Sequence, residues 1–116
     1  EVDHINAHGT GTKLNDAIET RALKSVLGAR GKAIPVTSVK GSLGHGMGAA
    51  SALECIACVR TLQEDLIPPT SNYETPDPEC DLDIVSGSPR SITVSNVINN
   101  SAGIGGANAA VIFKSI

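Results

Sequence analysis

Two histidines stand in glycine-rich turns, each at the end of an apolar run. His8 lies in His8-Gly9-Thr10-Gly11-Thr12 after Val2–Ala7, and His45 ends Lys40-Gly41-Ser42-Leu43-Gly44-His45 after Ile34–Val39. Two imidazoles and the Lys40 ammonium could converge there on one small anionic transition state, because N–H donors aimed at developing charge stabilise it most where water is excluded. For either histidine alone, capping of local backbone groups is the better account. The repetition of the pattern, with Lys40 in the second copy, favours catalysis. His4 lies inside the first apolar run, away from both turns, and reads as structural.

Composition narrows the function. The chain has 116 residues and a net charge of −3, with 18% charged residues, so it offers no basic face for nucleic acid and no polybasic membrane patch. Aromatics are 2%, Tyr73 and Phe113 alone, which removes base stacking and leaves the core to Val, Ile, Leu and Ala. One domain fits this length, and so does one half of a pseudosymmetric pair. Cys55, Cys58 and Cys80, odd in number and unevenly placed, point to a reducing, cytoplasmic setting. Cys55 and Cys58 have C-x-x-C spacing, but they lie in an apolar helical pattern without a second pair, so they read as buried thiols. No apolar run reaches the length of a membrane span. The chain opens inside a strand-like run, as an excerpt of a longer polypeptide would.

The elements that must position the two turns alternate. Residues 2–7 and 34–39 read as buried strands, Leu14–Leu27 as a helix ended by Gly28, and Met47–Glu64 as a long helix, apolar on most sides and central. Ile67-Pro68-Pro69-Thr70 stops helical structure, 71–83 reads as a surface loop, and strands follow at 82–85, 92–98 and 109–113, the last two joined by a glycine turn at 103–106. The order β-α-β-α-β-β-β predicts an α/β domain, a mixed five-stranded sheet packed against helices, its first strands parallel and its last two a hairpin.

Several motifs in order carry a resemblance. Asn6-Ala7-His8-Gly9-Thr10-Gly11-Thr12, Asp16 with Glu19, Ser38 to His45, Glu54, Ile67 to Thr70, Pro76 to Asp83, and Gly103-Ile104-Gly105-Gly106-Ala107-Asn108 together resemble the C-terminal half of a β-ketoacyl synthase, a condensing enzyme of fatty-acid and polyketide synthesis. The resemblance implies a thiolase-like fold of two similar α/β halves, residues 1–116 being the second, with acyl carrier protein and the first half of the same protein as partners and a homodimer as the full assembly. It implies no cofactor beyond the phosphopantetheine arm that carries the substrates.

Site roles follow from the same resemblance. His8 and His45 would donate hydrogen bonds to the malonyl thioester oxygen as carbon dioxide leaves. Lys40 would pair with Glu54 and order the second histidine's surroundings, and Thr10 and Thr12 would hydrogen-bond the pantetheine arm, although ordinary turn hydroxyls are an equal reading. The backbone N–H of Ile104 would serve an oxyanion hole for the acyl thioester. Asn6, Glu54, Asn99 and Asn100 match positions that hold a structural cation in some relatives, and no firmer metal site is expected. Asp16 and Glu19 read as supports of the helix start through its dipole.

The chain departs from the family at the final turn, where Ala102 and Ile104 replace the usual phenylalanines and Ala107 a threonine. Smaller side chains there imply a wider gate between the acyl and malonyl pockets. None of the three cysteines occupies a nucleophile motif, so the acyl-accepting cysteine is expected on the other half and the 116 residues alone are expected to be inactive, and to self-associate through the face left uncovered. Two further readings stay open: a noncatalytic partner subunit of the chain-length-factor kind, and a thiolase relative acting on coenzyme A. The latter enzymes commonly carry a cysteine in the last glycine turn, and residues 101–108 contain none.

Overall fold

The computed structural model describes residues 1–116. Its main sheet is built from short apolar strands: β1 (His4–Asn6), β2 (Pro35–Thr37), β4 (Asp83–Ile84), β6 (Asn96–Ala102) and β7 (Asn108–Lys114). Their order is β4-β2-β1-β6-β7, with β4, β2, β1 and β6 parallel and β7 antiparallel to β6. The mixed five-stranded sheet and terminal hairpin expected from the sequence are therefore present. Helix α1 (Lys13–Leu27) carries Asp16 in its first turn and Lys24 in its last, both favourable to its dipole, and ends where the Gly28 N–H returns to the Lys24 carbonyl.

Strand alternation gives the sheet two distinct faces. Ile5, Ala7, Ile34 and Val36 form one, packed against Leu23 and Leu27 of α1. On the other face Val97 packs with Cys58 of helix α3 (Ala50–Glu64), together with Ile67, Val85 and Val94. The helices thus sandwich the sheet. Their outward sides carry exposed apolar residues: Leu14, Ile18 and Val26 on α1, and Leu53, Ile56 and Val59 on α3, with Val111 and Ile112 on the edge strand β7. The long helix is central on one side only.

Three features differ from the sequence reading. The strand expected at 92–98 begins at Asn96 and runs through the polar stretch to Ala102, because Asp65 draws off the amides before it: its carbonyl accepts from Ile92 N–H at 3.2 Å and its side chain from Val94 N–H at 2.8 Å. Arg90–Ser91 (β5) pairs instead with Leu66–Ile67 (β3) in a separate two-stranded sheet. Finally, Lys40–Leu43 forms a short helix, α2, and residues 47–49 make a 3-10 turn before α3. No helix is long and apolar enough to cross a membrane, and all three cysteines are free thiols.

Candidate active site

Both histidine turns leave the C-terminal ends of adjacent parallel strands, the end of an α/β sheet where binding crevices form. Asn6 pairs with Thr37 in the ladder, and the Ala7 N–H donates to the Thr37 carbonyl at 2.8 Å, so β1 and β2 release their turns at one level. The Ser38 hydroxyl then donates to the Gly9 carbonyl at 2.8 Å. Gly9 has a φ of +42°, and a Cβ there would lie 2.5 Å from the Ser38 Cβ, so the contact between turns requires glycine on both counts. A strap after β3 holds α2 from outside: a Cβ on Gly41 would meet the Ser71 carbonyl oxygen at 2.5 Å, and Asn72 Nδ2 donates to the Gly41 carbonyl at 3.1 Å.

The geometry brings His8 and His45 together edge to face, with ring centroids 5.6 Å apart and planes at 83°. His8 is buried and His45 exposed. Backbone N–H of Met47 donates to His45 Nδ1 at 3.1 Å, which leaves Nε2 as the donor of that ring. Lys40 Nζ lies 3.5 Å from His8 Nδ1, which places the neutral ring's proton on Nε2 as well. Burial, and then the charge on Lys40, hold the His8 pKa below its ordinary value. The expected ion pair of Lys40 with Glu54 is present and buried on both sides.

Glu19 does more than the sequence reading allowed. Although it belongs to α1, its buried carboxylate accepts the backbone N–H groups of His8 at 2.8 Å and Gly9 at 2.9 Å, and Asn100 Nδ2 at 2.7 Å. It acts on the turn rather than on the helix dipole. Asp16 accepts the Gly11 N–H at 3.3 Å, so it too faces the turn. Two other residues at the site went unread: Asn100 in this role, and Ser101, whose hydroxyl donates to Glu54 Oε2 at 3.1 Å and accepts from Ser51 at 3.0 Å. The signal that could have found them is the run Asn99-Asn100-Ser101, three amide or hydroxyl side chains between the expected strand at 92–98 and the glycine turn.

A cleft of about 760 Å³ opens beside the histidines, lined by His8, His45, Thr10, Thr12, Ala102 and Ile104 among others. Thr10 and Thr12 hydrogen-bond one another at 2.9 Å and remain accessible. In the turn after β6, Gly103 N–H donates to the Ala107 carbonyl and Gly106 N–H to Gly103, which leaves the Ile104 N–H unspent and its side chain fully exposed. None of the three cysteines lines this cleft. Cys58 is buried and its thiol is pushed up to about 12 by desolvation, and Cys55 accepts from Asn99 at 3.6 Å.

The four cation candidates do not form one donor set. Asn6 and Asn99 bond to each other at 2.8 Å, Glu54 is held by Lys40 and Ser101, and Asn100 points to Glu19 on the opposite face of the sheet. His4 is structural: it is buried, and its Nε2 bonds the Thr37 hydroxyl at 2.8 Å.

Residues 1–74, which include both histidine turns, α3 and the strap, match the family described as "Beta-ketoacyl synthase, C-terminal domain". The chain belongs to the β-ketoacyl synthases. Nodulation protein E of Rhizobium meliloti is 48% identical to this ketosynthase domain over all 116 residues, which span 29% of that protein. The 3-oxoacyl-[acyl-carrier-protein] synthase 2 of Synechocystis sp. is 48% identical over 113 residues, 97% of this chain and 27% of the relative. The domain therefore spans less than a third of the length of these relatives. Among solved structures, a type II polyketide ketosynthase in complex with its acyl-carrier protein superposes with a TM-score of 0.96 at 36% identity, covering 99% of this chain and 28% of that one. The ishigamide ketosynthase/chain length factor gives 0.95 at 44% identity, over 100% and 28%. The thiolase-like α/β half expected from the motifs is the fold these ketosynthases share.

Proposed function

We propose that this domain supplies the decarboxylating half of a decarboxylative Claisen condensation in fatty-acid or polyketide chain elongation. The observation that carries the reading is the pair of imidazoles, each with Nδ1 turned to a donor and Nε2 left to donate, set edge to face over one cleft with Lys40 and Glu54 buried behind His8. A malonyl thioester in that cleft would accept both N–H bonds at its carbonyl oxygen. As the bond to the carboxylate breaks, its electron pair enters the enolate, and the negative oxygen strengthens both hydrogen bonds at the moment they are needed. The enolate carbon then attacks an acyl thioester, and the enzyme's cysteine thiolate leaves.

That cysteine belongs to a preceding half of the same protein, packed against the apolar outer faces of α3 and β7, with acyl carrier protein delivering both substrates on its pantetheine arm past Thr10 and Thr12. The full protein is a homodimer acting in the cytoplasm. A buried Lys–Glu pair adds little net stability, so its presence beside His8 favours a working ketosynthase over a partner subunit that only fills space. In the full-length protein, changing His8 or His45 singly to alanine lowers malonyl-carrier decarboxylation by about a hundredfold or more, the loss typical of one oxyanion donor. A His8→Ala protein that decarboxylates at the parent rate overturns the proposal.

A further inference from the structure

The last residues of β6 reach both sides of the sheet at once. Side chains alternate along a strand, so Asn99 and Ser101 face α3 while Asn100 faces α1. Asn100 Nδ2 donates to Glu19 Oε1 at 2.7 Å, the oxygen that also accepts the His8 N–H at 2.8 Å. Ser101 Oγ donates to Glu54 Oε2 at 3.1 Å, and the other oxygen of Glu54 holds Lys40, whose Nζ lies 3.5 Å from His8 Nδ1. Two adjacent residues thus grip His8 from opposite directions, one through its backbone and one through its ring. Beyond them come only Ala102 and the turn that bears Ile104, closed by Gly103 N–H on the Ala107 carbonyl at 2.9 Å.

We infer that Asn100 and Ser101 are positioning residues that couple the Ile104 turn to the decarboxylating groups. The coupling rests on the functional reading above for its chemistry, but its geometry is independent of it. A displacement of the turn moves the end of β6, and the two side chains carry that displacement to Glu19 and Glu54 together. Such bonds have direction and limited reach, so a shift of an ångström at the strand end unseats a carboxylate that a loose apolar contact would leave in place. The His8 imidazole is then aimed correctly only when the turn is seated.

The test uses the full-length protein and compares two half-reactions: decarboxylation of malonyl-carrier, which needs the histidines, and transfer of an acyl group from carrier to the enzyme's cysteine. Ser101→Ala and Asn100→Ala each lower kcat for decarboxylation by about tenfold while acyl transfer stays within twofold, and Ser101→Thr, which keeps the hydroxyl, restores the rate. In a double-mutant cycle, Ile104→Gly slows decarboxylation in the parent and adds little in the Asn100→Ala/Ser101→Ala protein, where the link is already broken. The titration of His8, followed by NMR of isotope-labelled histidine, rises toward its ordinary value in Ser101→Ala as Lys40 loses its fixed place. Equal loss of both half-reactions identifies a merely structural role and overturns the inference, as does an unchanged His8 titration with unchanged decarboxylation. If His8→Ala spares decarboxylation while Ser101→Ala still moves the titration, the functional reading fails and the coupling stands.

Discussion

Lys40 stands between Glu54 and His8: its ammonium is paired with the Glu54 carboxylate and lies 3.5 Å from His8 Nδ1. All three side chains are buried. Replacing Lys40 by alanine leaves the Glu54 charge without its partner, so the protein loses roughly 3–5 kcal/mol. Decarboxylation falls with it. Lys40→Met combined with Glu54→Leu removes both charges, and denaturant unfolding of that double variant shows most of the lost stability regained while decarboxylation stays low. Recovery of activity with stability would show that the pair only fills the interior.

Glu19 gathers three strong donors, the N–H groups of His8 and Gly9 and the Asn100 amide. Glutamine at this position turns one acceptor oxygen into an amide that faces a donor. All three bonds lose their charge assistance and one donor is left unmet, which makes Glu19→Gln slower in decarboxylation by about tenfold or more. Circular dichroism of the variant retains the parent spectrum, since the sheet and α1 keep their other contacts. A Glu19→Gln protein with parent kinetics would return this residue to the role of a helix-end support.

At Gly9, space and backbone conformation act separately. The φ of +42° disfavours any side chain, and the approach of 2.5 Å to the Ser38 Cβ leaves no room for one. Gly9→Ala lowers the thermal midpoint markedly. Adding Ser38→Gly makes room and recovers part of the loss, the strained conformation accounting for what remains. Full recovery in the double variant assigns the whole effect to crowding, and none assigns it to backbone strain.

The sequence pattern and the structure agree most closely where apolar periodicity and cap signals coincide: α1, its Gly28 stop, β1 and β2, and the final hairpin. They part at β6, because Asn99, Asn100 and Ser101 are polar for the sake of Asn6, Glu19 and Glu54 on two faces, and a strand serving a site loses the alternation that identifies strands. Apolar Ile92 and Val94 gave a false strand start for the converse reason, their amides being bonded to Asp65 at the end of α3. That His8, His45 and Lys40 gather at one place was legible from glycine spacing. Glu19 was not, since a carboxylate two turns into a helix looks like surface until the fold brings the turn back over it.

His4 predicts an acid sensitivity of the fold itself. Burial pushes its pKa down from 6.5 to about 4, and its Nε2 is engaged with Thr37. Below pH 6.5 the unfolded chain takes up a proton that the folded chain refuses until about pH 4. Stability is therefore complete above the unfolded value and falls as pH drops through this window, reaching a loss of ~3 kcal/mol. Urea midpoints measured across that range decline for the parent protein, and the decline is shallower for His4→Gln by the share that His4 contributes. Parallel curves for the two proteins would rule out this histidine as the source.

The exposed Ile104 side chain predicts a change of acyl selectivity. Its backbone N–H is available whatever side chain the position carries, while the side chain lines the cleft shared by His8 and His45. Ile104→Phe narrows the passage on that side without altering the donor. Short acyl groups then transfer to the full-length enzyme at the parent rate, whereas long or branched ones slow by about tenfold, the scale expected when a pocket loses room for a methylene or two. Single-turnover acyl transfer over a graded series of chain lengths reads the effect directly. A uniform change across the series, or none, means that the selectivity is set elsewhere in the full-length protein and that the small residues at 102 and 104 do not govern it.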